Sequence, residues 1–166
     1  MRYAAWAVAV AVAVFGGVAA ETLDEQIVRL FNEGKYAEAE PLARRAVDES
    51  TEKNGPDHPD TARSLNNLAS LYASQGKYAE AEPLYQRALV ICEKTLGPDH
   101  PDTAKSLNIL ALLRDSQGDH AEAEPLHKRS LAIKEKALGP DHPDTIKTRQ
   151  NLEAMRDKRD AKTDGK

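Results

Sequence analysis

The nine residues "GKYAEAEPL" at 34–42 recur unchanged at 76–84 and return as "GDHAEAEPL" at 118–126. The interval is 42 residues, and it applies to far more of the chain than this segment. Residues 34–159 divide into three copies, with 27 identities between the first and second and 24 between the second and third, without any gap. A fixed interval of this length indicates stacked supersecondary units, because one unit alone cannot bury its apolar face.

Each copy contains two stretches with the apolar periodicity of a helix, as the middle copy illustrates. Between residues 60 and 75 the apolar positions are Ala62, Leu65, Leu68, Ala69 and Tyr72. Between residues 78 and 96 they are Ala81, Leu84, Ala88, Ile91 and Thr95. Spacings of three and four residues place each set on one face of a helix. Gly76 and Gly97 follow the two stretches and predict their ends, since glycine accepts the left-handed conformation at a helix C-terminus. The sequence predicts an antiparallel helical hairpin in each copy.

The middle copy resembles a tetratricopeptide repeat. The signature spacings are occupied by Leu65, Leu68, Ala69, Tyr72, Gly76, Tyr78, Ala81, Tyr85 and Ala88. The 42-residue interval, together with "AEAEPLYQRAL" and "LGPDHPDTAKSLNILA", is similar to the long repeats of kinesin light chains. The resemblance covers about residues 22–156 and implies an all-α fold, a right-handed superhelical solenoid of antiparallel helix pairs. It specifies function poorly, because one fold supports many functions.

The copies at the two ends depart from the repeat pattern, as terminal units of a solenoid do when one face meets water. We expect a repeat domain over residues 21–156, with units at about 21–55, 60–97 and 102–139. A single capping helix is expected at 144–158, sealed by Ile146, Leu152 and Met155. The remaining segment, 157–166, is rich in charge and predicts disorder.

The first twenty residues, "MRYAAWAVAVAVAVFGGVAA", differ from the rest of the chain. One basic residue, an alanine and valine run and small residues before Glu21 are typical of a secretory signal peptide, cleaved after Ala20. This predicts a periplasmic or secreted protein without membrane attachment after cleavage. An uncleaved N-terminal anchor is the alternative, because 18 apolar residues are at the short end for a membrane span. The chain would then be an accessory subunit of a membrane-bound envelope complex.

Composition excludes some classes of function. A net charge of −4 argues against a nucleic-acid-binding protein. The sequence has no glycine-rich phosphate loop and no nucleophile motif, so we expect no enzyme and no cofactor. Cys92 has polar counterparts one interval away, Ser50 and Lys134, and is therefore expected to be partly exposed. The sequence leaves the oligomeric state open.

The segment "GPDHPDT" occurs at 55–61, 97–103 and 139–145, always between two helical stretches. Its glycine ends one helix, its second proline suits the first position of the next, and its histidine or first aspartate can cap that helix. Equivalent residues of neighbouring units lie on the order of 10 Å apart, so the three histidines cannot share a metal ion. His120 and His127, seven residues apart, are expected to be polar surface residues at positions where tyrosine packs in the middle unit.

In tetratricopeptide stacks the first helix of each pair lines a concave groove, and the resemblance places partners there. The residues that map to the groove and are predicted to bind peptide are Arg63, Asn66, Asn67, Ser70, Lys105, Asn108, Lys147, Gln150 and Asn151. Further positions on the same face are Glu21, Asp24, Glu25, Val28, Ser74, Ile109 and Leu112.

Two rows follow from the interval of 42. The basic row is Arg63, Lys105 and Lys147, and the amide row is Asn66, Asn108 and Gln150. Amides can donate to and accept from a peptide backbone at once, and kinesin light chain grooves similarly use asparagines to hold an extended cargo peptide. We therefore expect a protein-binding scaffold whose groove takes an extended, acidic-leaning segment of another exported protein. The open alternatives are that these residues only solvate the concave face, or that a partner binds elsewhere.

Overall fold

The computed structural model describes residues 21–164, and the predicted signal peptide at 1–20 lies outside the described residues. Seven α-helices and no strand occur within this range. Their bounds are α1 Leu23–Asn32, α2 Tyr36–Asn54, α3 Pro59–Ser74, α4 Tyr78–Thr95, α5 Pro101–Gln117, α6 His120–Leu138 and α7 Pro143–Asp164.

Each helix packs mainly against its neighbours in the chain, from α1 on α2 to α6 on α7. This nearest-neighbour arrangement is that of a solenoid, in which one unit contacts only the units beside it. The hairpins α1–α2, α3–α4 and α5–α6 are the repeated units, and α7 is a single helix that also touches α5. The predicted all-α solenoid of helix pairs, ending in a single helix, is confirmed.

A tight glycine turn closes each hairpin. Gly76 has a φ of 74° between α3 and α4, a conformation that a side chain would disfavour. The next amide, that of Lys77, donates to the carbonyl of Tyr72 at 2.9 Å, the 6→1 bond of a Schellman motif. Gly34 and Gly118 repeat this geometry with φ values of 73° and 86°. The turn that the sequence predicts after each first helix is therefore present in every unit.

The "GPDHPDT" segments form the turns between units, and their polar residues make the contacts that hold each turn. In the first copy, His58 Nδ1 accepts from the backbone N–H of Asp60 at 3.2 Å and caps α3. The hydroxyl of Thr61 donates to the carbonyl of Gly55 at 2.8 Å and closes the turn on itself. Asp57 accepts from Lys94 of the following unit at 2.6 Å. The histidines are helix caps, and among the described residues no cluster of three or more His, Cys, Asp or Glu could hold a metal ion.

Alanine allows the helices of the stack to approach closely. Ala39, Ala43, Ala69, Ala81 and Ala111 are fully buried at helix crossings. Large aliphatic side chains fill the remaining space; the most buried of them are Leu65, Leu71, Leu107 and Met155. With few aromatic residues, close backbone approach supplies the packing density of the core.

A repeated glutamate links each hairpin to the first helix of the next unit. Glu82 accepts from Arg114, and Glu124 accepts from Arg156 Nη2 at 2.9 Å, both across 32 residues. In the equivalent place Glu40 accepts from the hydroxyl of Tyr72 at 3.4 Å. Hydrogen bonds from Lys128 and Arg156 lower the pKa of Glu124 to about 2. The register between units therefore rests on charged contacts as well as on apolar packing.

The final helix is longer than the sequence predicts. It was expected to end at Lys158, with disorder over 157–166, but α7 continues to Asp164. Two ion pairs hold this extension on the stack: Lys158 Nζ lies 2.8 Å from Asp115 Oδ2, and Arg159 Nη1 lies 2.6 Å from Glu124 Oε2. Lys158 and Arg159 therefore attach the start of the segment to α5 and α6, and the disorder of the segment stays a prediction.

Three apolar residues of α7 were predicted to pack against the stack, and two of them do. Met155 is fully buried and Leu152 is 5% exposed, but Ile146 is 38% exposed. Ile146 occupies the position of two buried alanines, Ala62 and Ala104, which in their own units face a second helix. The described part of α7 has no such partner helix, so the side chain that would face it stays in solvent.

Cys92 is 4% exposed, so the predicted partial exposure is wrong. Its Sγ accepts from the hydroxyl of Ser106 at 3.7 Å, at the junction between α4 and α5. The counterpart Lys134 is also buried, and its Nζ donates to Thr148 Oγ1 at 2.8 Å. Cys92 and Lys134 can be buried because each has a hydrogen-bond partner on the next helix. The polar residue types at this position therefore did not indicate solvent exposure. Burial raises the pKa of the Cys92 thiol.

Candidate binding groove

The basic row lies on the surface, as predicted, but most of its charge is paired. Arg63, Lys105 and Lys147 are all exposed. Lys105 Nζ lies 2.7 Å from Asp102 Oδ1, three residues before it on α5. Arg63 bridges two aspartates at 3.4 Å each: Asp60 on its own helix and Asp24 on α1. Lys147 has no ion-pair partner among residues 21–161, whose side chains the structure describes. The row is therefore less positive than the sequence pattern suggests.

The amide row is held in place by contacts within the protein. Asn66 Nδ2 donates to Ser106 Oγ at 3.2 Å, which joins α3 to α5. Asn108 Oδ1 lies 3.2 Å from His127 Nδ1, inside the third hairpin. Gln150 is exposed on α7. Two of the three amides are thus fixed in orientation, and their free capacity for a ligand is correspondingly smaller.

Two buried amide atoms on the groove side have no hydrogen-bond partner. They are Asn66 Oδ1 and Asn151 Nδ2. Asn66 lies in the middle unit and Asn151 on the last helix, and both side chains are half-buried. A buried polar atom without a partner is costly, so each of these amides gains from any shift that brings a ligand or water group to it.

A recess of about 280 Å³ opens between α3 and α5. We call it the polar recess because several charged and amide side chains border it, although apolar atoms make up most of its surface. Predicted groove residues from both helices line it together: Arg63, Asn66, Asn67, Lys105 and Ile109. Cys92, Asp60, Asp102 and Ser106 also border this space and were not predicted. The two aspartates could have been found from the sequence, because each precedes a basic residue by three positions on a helix. Cys92 could not, since it comes from α4 and reaches the recess only in the stack.

An apolar recess of about 370 Å³ lies beside the polar one, toward the C-terminal ends of the first helices. Ser70, Ser74, Ile109 and Leu112, all predicted as groove residues, line it. Its aromatic wall consists of Phe31 from α1 and of Tyr78 and Tyr85 from α4. Ile109 borders both recesses, so they form adjacent parts of one concave surface. The predicted residues Asn108, Lys147, Gln150 and Asn151 line neither recess.

His127 and His120 are not surface residues, contrary to prediction. His127 is fully buried, and burial lowers its pKa. In the middle unit the same position is Tyr85, whose hydroxyl donates to Ser70 Oγ at 2.9 Å. His120 Nδ1 lies 3.0 Å from Asp115 Oδ1, and its side chain is only 14% exposed. Both histidines replace tyrosines in the core of the hairpin, where a ring of similar size is required.

None of the helices described over residues 21–164 combines the length and the hydrophobicity that crossing a membrane requires.

The sequence pattern of the tetratricopeptide repeat family matches residues 28–89, 65–136 and 113–160. These overlapping matches together extend over most of the chain. A search of curated proteins gives no match.

Two solved structures with long repeats are similar to this chain. One contains the nearly identical TPR-like repeats of a candidate kinesin light chain from Podosopora anserina, with 28% identity over 80% of this chain and a TM-score of 0.74. The other is BtubC (BKLC) from P. vanneervenii, with 27% identity over 80% of this chain and a TM-score of 0.72. The alignments span only 63% and 53% of those two chains.

A more distant likeness is to SycD, a type III secretion translocator chaperone of Yersinia enterocolitica. It is 18% identical, with coverage of 90% of this chain and 93% of that chain and a TM-score of 0.59. At this identity the likeness concerns the fold.

Proposed function

This chain belongs to the tetratricopeptide repeat family, and from that premise we propose that it is a non-catalytic scaffold whose concave groove binds an extended peptide segment of a partner protein. The observation that carries the proposal is the pair of adjacent recesses on α3 and α5. The first is bordered by several charged and amide side chains, the second is walled by aromatic and aliphatic side chains, and Ile109 borders both. An extended segment can place a backbone amide in the first and an apolar side chain in the second.

The proposed contacts divide between the two recesses. In the polar recess, Asn66 and Asn67 offer amides beside the charged pair of Lys105 and Asp102. In the apolar recess, Leu112 is 40% exposed and offers a surface that an apolar side chain can cover. Apolar burial would supply most of the affinity, and the amides would fix the position of the segment.

An overall preference for acidic partners is not part of this proposal. The sequence suggested it from the basic and amide rows, but Arg63 and Lys105 each have an aspartate at ion-pair distance. A paired cation attracts a ligand carboxylate more weakly than an isolated one, since its own aspartate must be displaced or shared.

A displayed library of random 12-residue peptides, selected on the immobilised full chain, tests the proposal. We expect enriched peptides whose affinity falls about tenfold in the variant Asn67→Asp with Leu112→Asp, because a carboxylate would then stand in each recess. Asp48→Asn with Val90→Asp is a control on the exposed convex helices α2 and α4. Equal affinity of the parent and the groove variant would exclude the groove as the site, and no enrichment at all would contradict peptide binding.

We also propose that the protein is exported and that residues 1–20 are its signal peptide, on the composition of that segment alone. Intact mass of the protein recovered from its own cell envelope tests this, and we expect a product that begins at Glu21. A product that retains residues 1–20 and sediments with membranes would instead favour the accessory subunit with an uncleaved anchor.

A further inference from the structure

The groove side of α1 differs in charge from the same side of α3, α5 and α7. On this side of the first unit lie three acidic residues: Glu21, just before α1, and Asp24 and Glu25 in its first turn. The equivalent residues of the later helices are basic or uncharged: Arg63, Asn66 and Asn67, then Lys105, Asn108 and Ile109, then Lys147, Gln150 and Asn151. Three adjacent positions therefore change from acidic to basic or neutral between the first unit and the rest.

The net charges of the whole first helices change in the same order along the chain. The helix α1, Leu23–Asn32, carries two acidic residues and one basic residue, a net charge of −1. The helices α3 and α5 are each balanced, with one charge of each sign in α3 and two in α5. The last helix carries six basic and five acidic residues, a net charge of +1. The net charge of the first helices thus rises from −1 in α1 to +1 in α7.

Ion pairs reduce this difference, because Glu21 Oε1 lies 3.0 Å from Arg29 Nε and Asp24 Oδ2 lies 3.4 Å from Arg63 Nη1. Glu25, which is exposed, is the acidic residue of this set without an ion pair. At the other end Lys147 is exposed and has no ion-pair partner among the described side chains of residues 21–161. First helices of neighbouring units lie about 10 Å apart or more. The two ends are therefore separated by more than the Debye length of about 8 Å, and each can act on a ligand independently.

Resting on the proposed function, we propose that this charge order sets the direction of a bound peptide. A segment carrying charges of both signs lies with its basic residues beside Glu25 at the α1 end and its acidic residues toward Lys147 on α7. The opposite direction would bring like charges together at both ends, which is unfavourable. The partner is accordingly a bipolar segment, one with basic residues at one end and acidic residues at the other.

Photocrosslinking with the tightest peptide from the library selection tests this direction. The peptide is synthesised twice, with a benzophenone group at its acidic end or at its basic end, and the crosslinked residues of the full chain are identified by mass spectrometry. We expect the basic end to crosslink to α1 and the acidic end to α5 or α7, with a preference of about tenfold.

The double variant Asp24→Asn with Glu25→Gln removes two acidic charges from α1. Glutamine keeps the capping box, in which Thr22 N–H donates to the side chain of residue 25 at 2.7 Å in the parent. The preference is expected to fall to near unity in this variant. The matched control, Glu38→Gln with Asp48→Asn, removes the same two charges from exposed positions of α2 and should leave the preference unchanged.

Four outcomes would overturn the inference while the proposed groove remains valid: equal crosslinking of both ends, a reversed direction, a preference that survives neutralisation of α1, or selected peptides without charges of both signs. A selection that enriches no peptide would instead contradict the proposed function itself. The two failures are therefore distinguishable by whether any peptide binds.

Discussion

The middle and third units share one backbone plan but differ in the polar pairs that they bury. In the middle unit the hydroxyl of Tyr85 donates to Ser70 at 2.9 Å. In the third unit the equivalent residues are His127 and Leu112, and the histidine turns to Asn108 at 3.2 Å instead. The repeated sequence therefore specifies the same backbone conformation in each unit, whereas the partners of the buried polar side chains differ from unit to unit. Each of the following experiments compares a residue with its own counterpart 42 positions away.

The largest expected effect is the loss of unfolding free energy when a core leucine is truncated. Comparing this loss in the two units tests whether their apolar cores are equivalent. Leu65 is 1% exposed and Leu107 is fully buried. Truncation of either to alanine should reduce the free energy of unfolding by about 3 kcal/mol, because a cavity is left in a packed core. Urea denaturation of the two variants measures this. A loss below about 1 kcal/mol at one site would mean that the units are not packed alike.

A smaller effect compares two buried threonines of the "GPDHPDT" turns. Thr61 Oγ1 donates to the carbonyl of Gly55 at 2.8 Å, whereas Thr145 Oγ1, equally buried, has no partner. Thr61→Val should cost about 1 kcal/mol of unfolding free energy, and Thr145→Val should be neutral or stabilising, because it removes an unsatisfied hydroxyl. Thermal unfolding of both variants checks the difference. Equal losses would indicate that Thr145 makes a hydrogen bond after all.

The smallest expected effect concerns the contribution of His127 to the free energy of unfolding. It is small at neutral pH and becomes measurable when the pH is lowered. Burial lowers its pKa below the ordinary 6.5, with Lys134 acting in the same direction and Asp115 in the opposite one. The unfolded chain then binds more protons just below pH 6.5, so stability is present above that pH and is lost as the pH falls toward the folded pKa.

The double variant His127→Tyr with Leu112→Ser copies the middle-unit pair into the third unit. It should flatten the pH dependence of stability below 6.5 while changing little at pH 7.5. Urea midpoints measured between pH 5 and 8 give the comparison. A parent chain whose midpoint does not change over this range would contradict the buried, neutral histidine.

The helical hairpins, their order and their turns could be predicted because they depend on local residue types repeated three times. Glycine at the ends of helices, proline at their starts and apolar residues every three or four positions act within a few residues of the chain. The groove residues on α3 and α5 were predicted from the resemblance to tetratricopeptide repeats, and the interval of 42 residues placed them in rows. Four of them, Arg63, Asn66, Asn67 and Lys105, do line one recess.

The errors share one cause: they concern contacts between residues far apart in sequence. The burial of Cys92 depends on Ser106 of the next unit, and the burial of His127 on its own hairpin partner α5. The extension of α7 depends on Asp115 and Glu124. In each case a polar residue suggested exposure, but a partner elsewhere in the stack made burial or a longer helix favourable.

The sequence by itself determined the repeating unit, because backbone conformation in helices and tight turns is governed by neighbouring residues. Only the tertiary structure decided which charges remain available on the concave face. Asp24 meets Arg63 across two helices, at a distance that no spacing in the sequence encodes. Electrostatic interactions depend on separation in space and on solvent exposure, and both quantities exist only once the units have stacked.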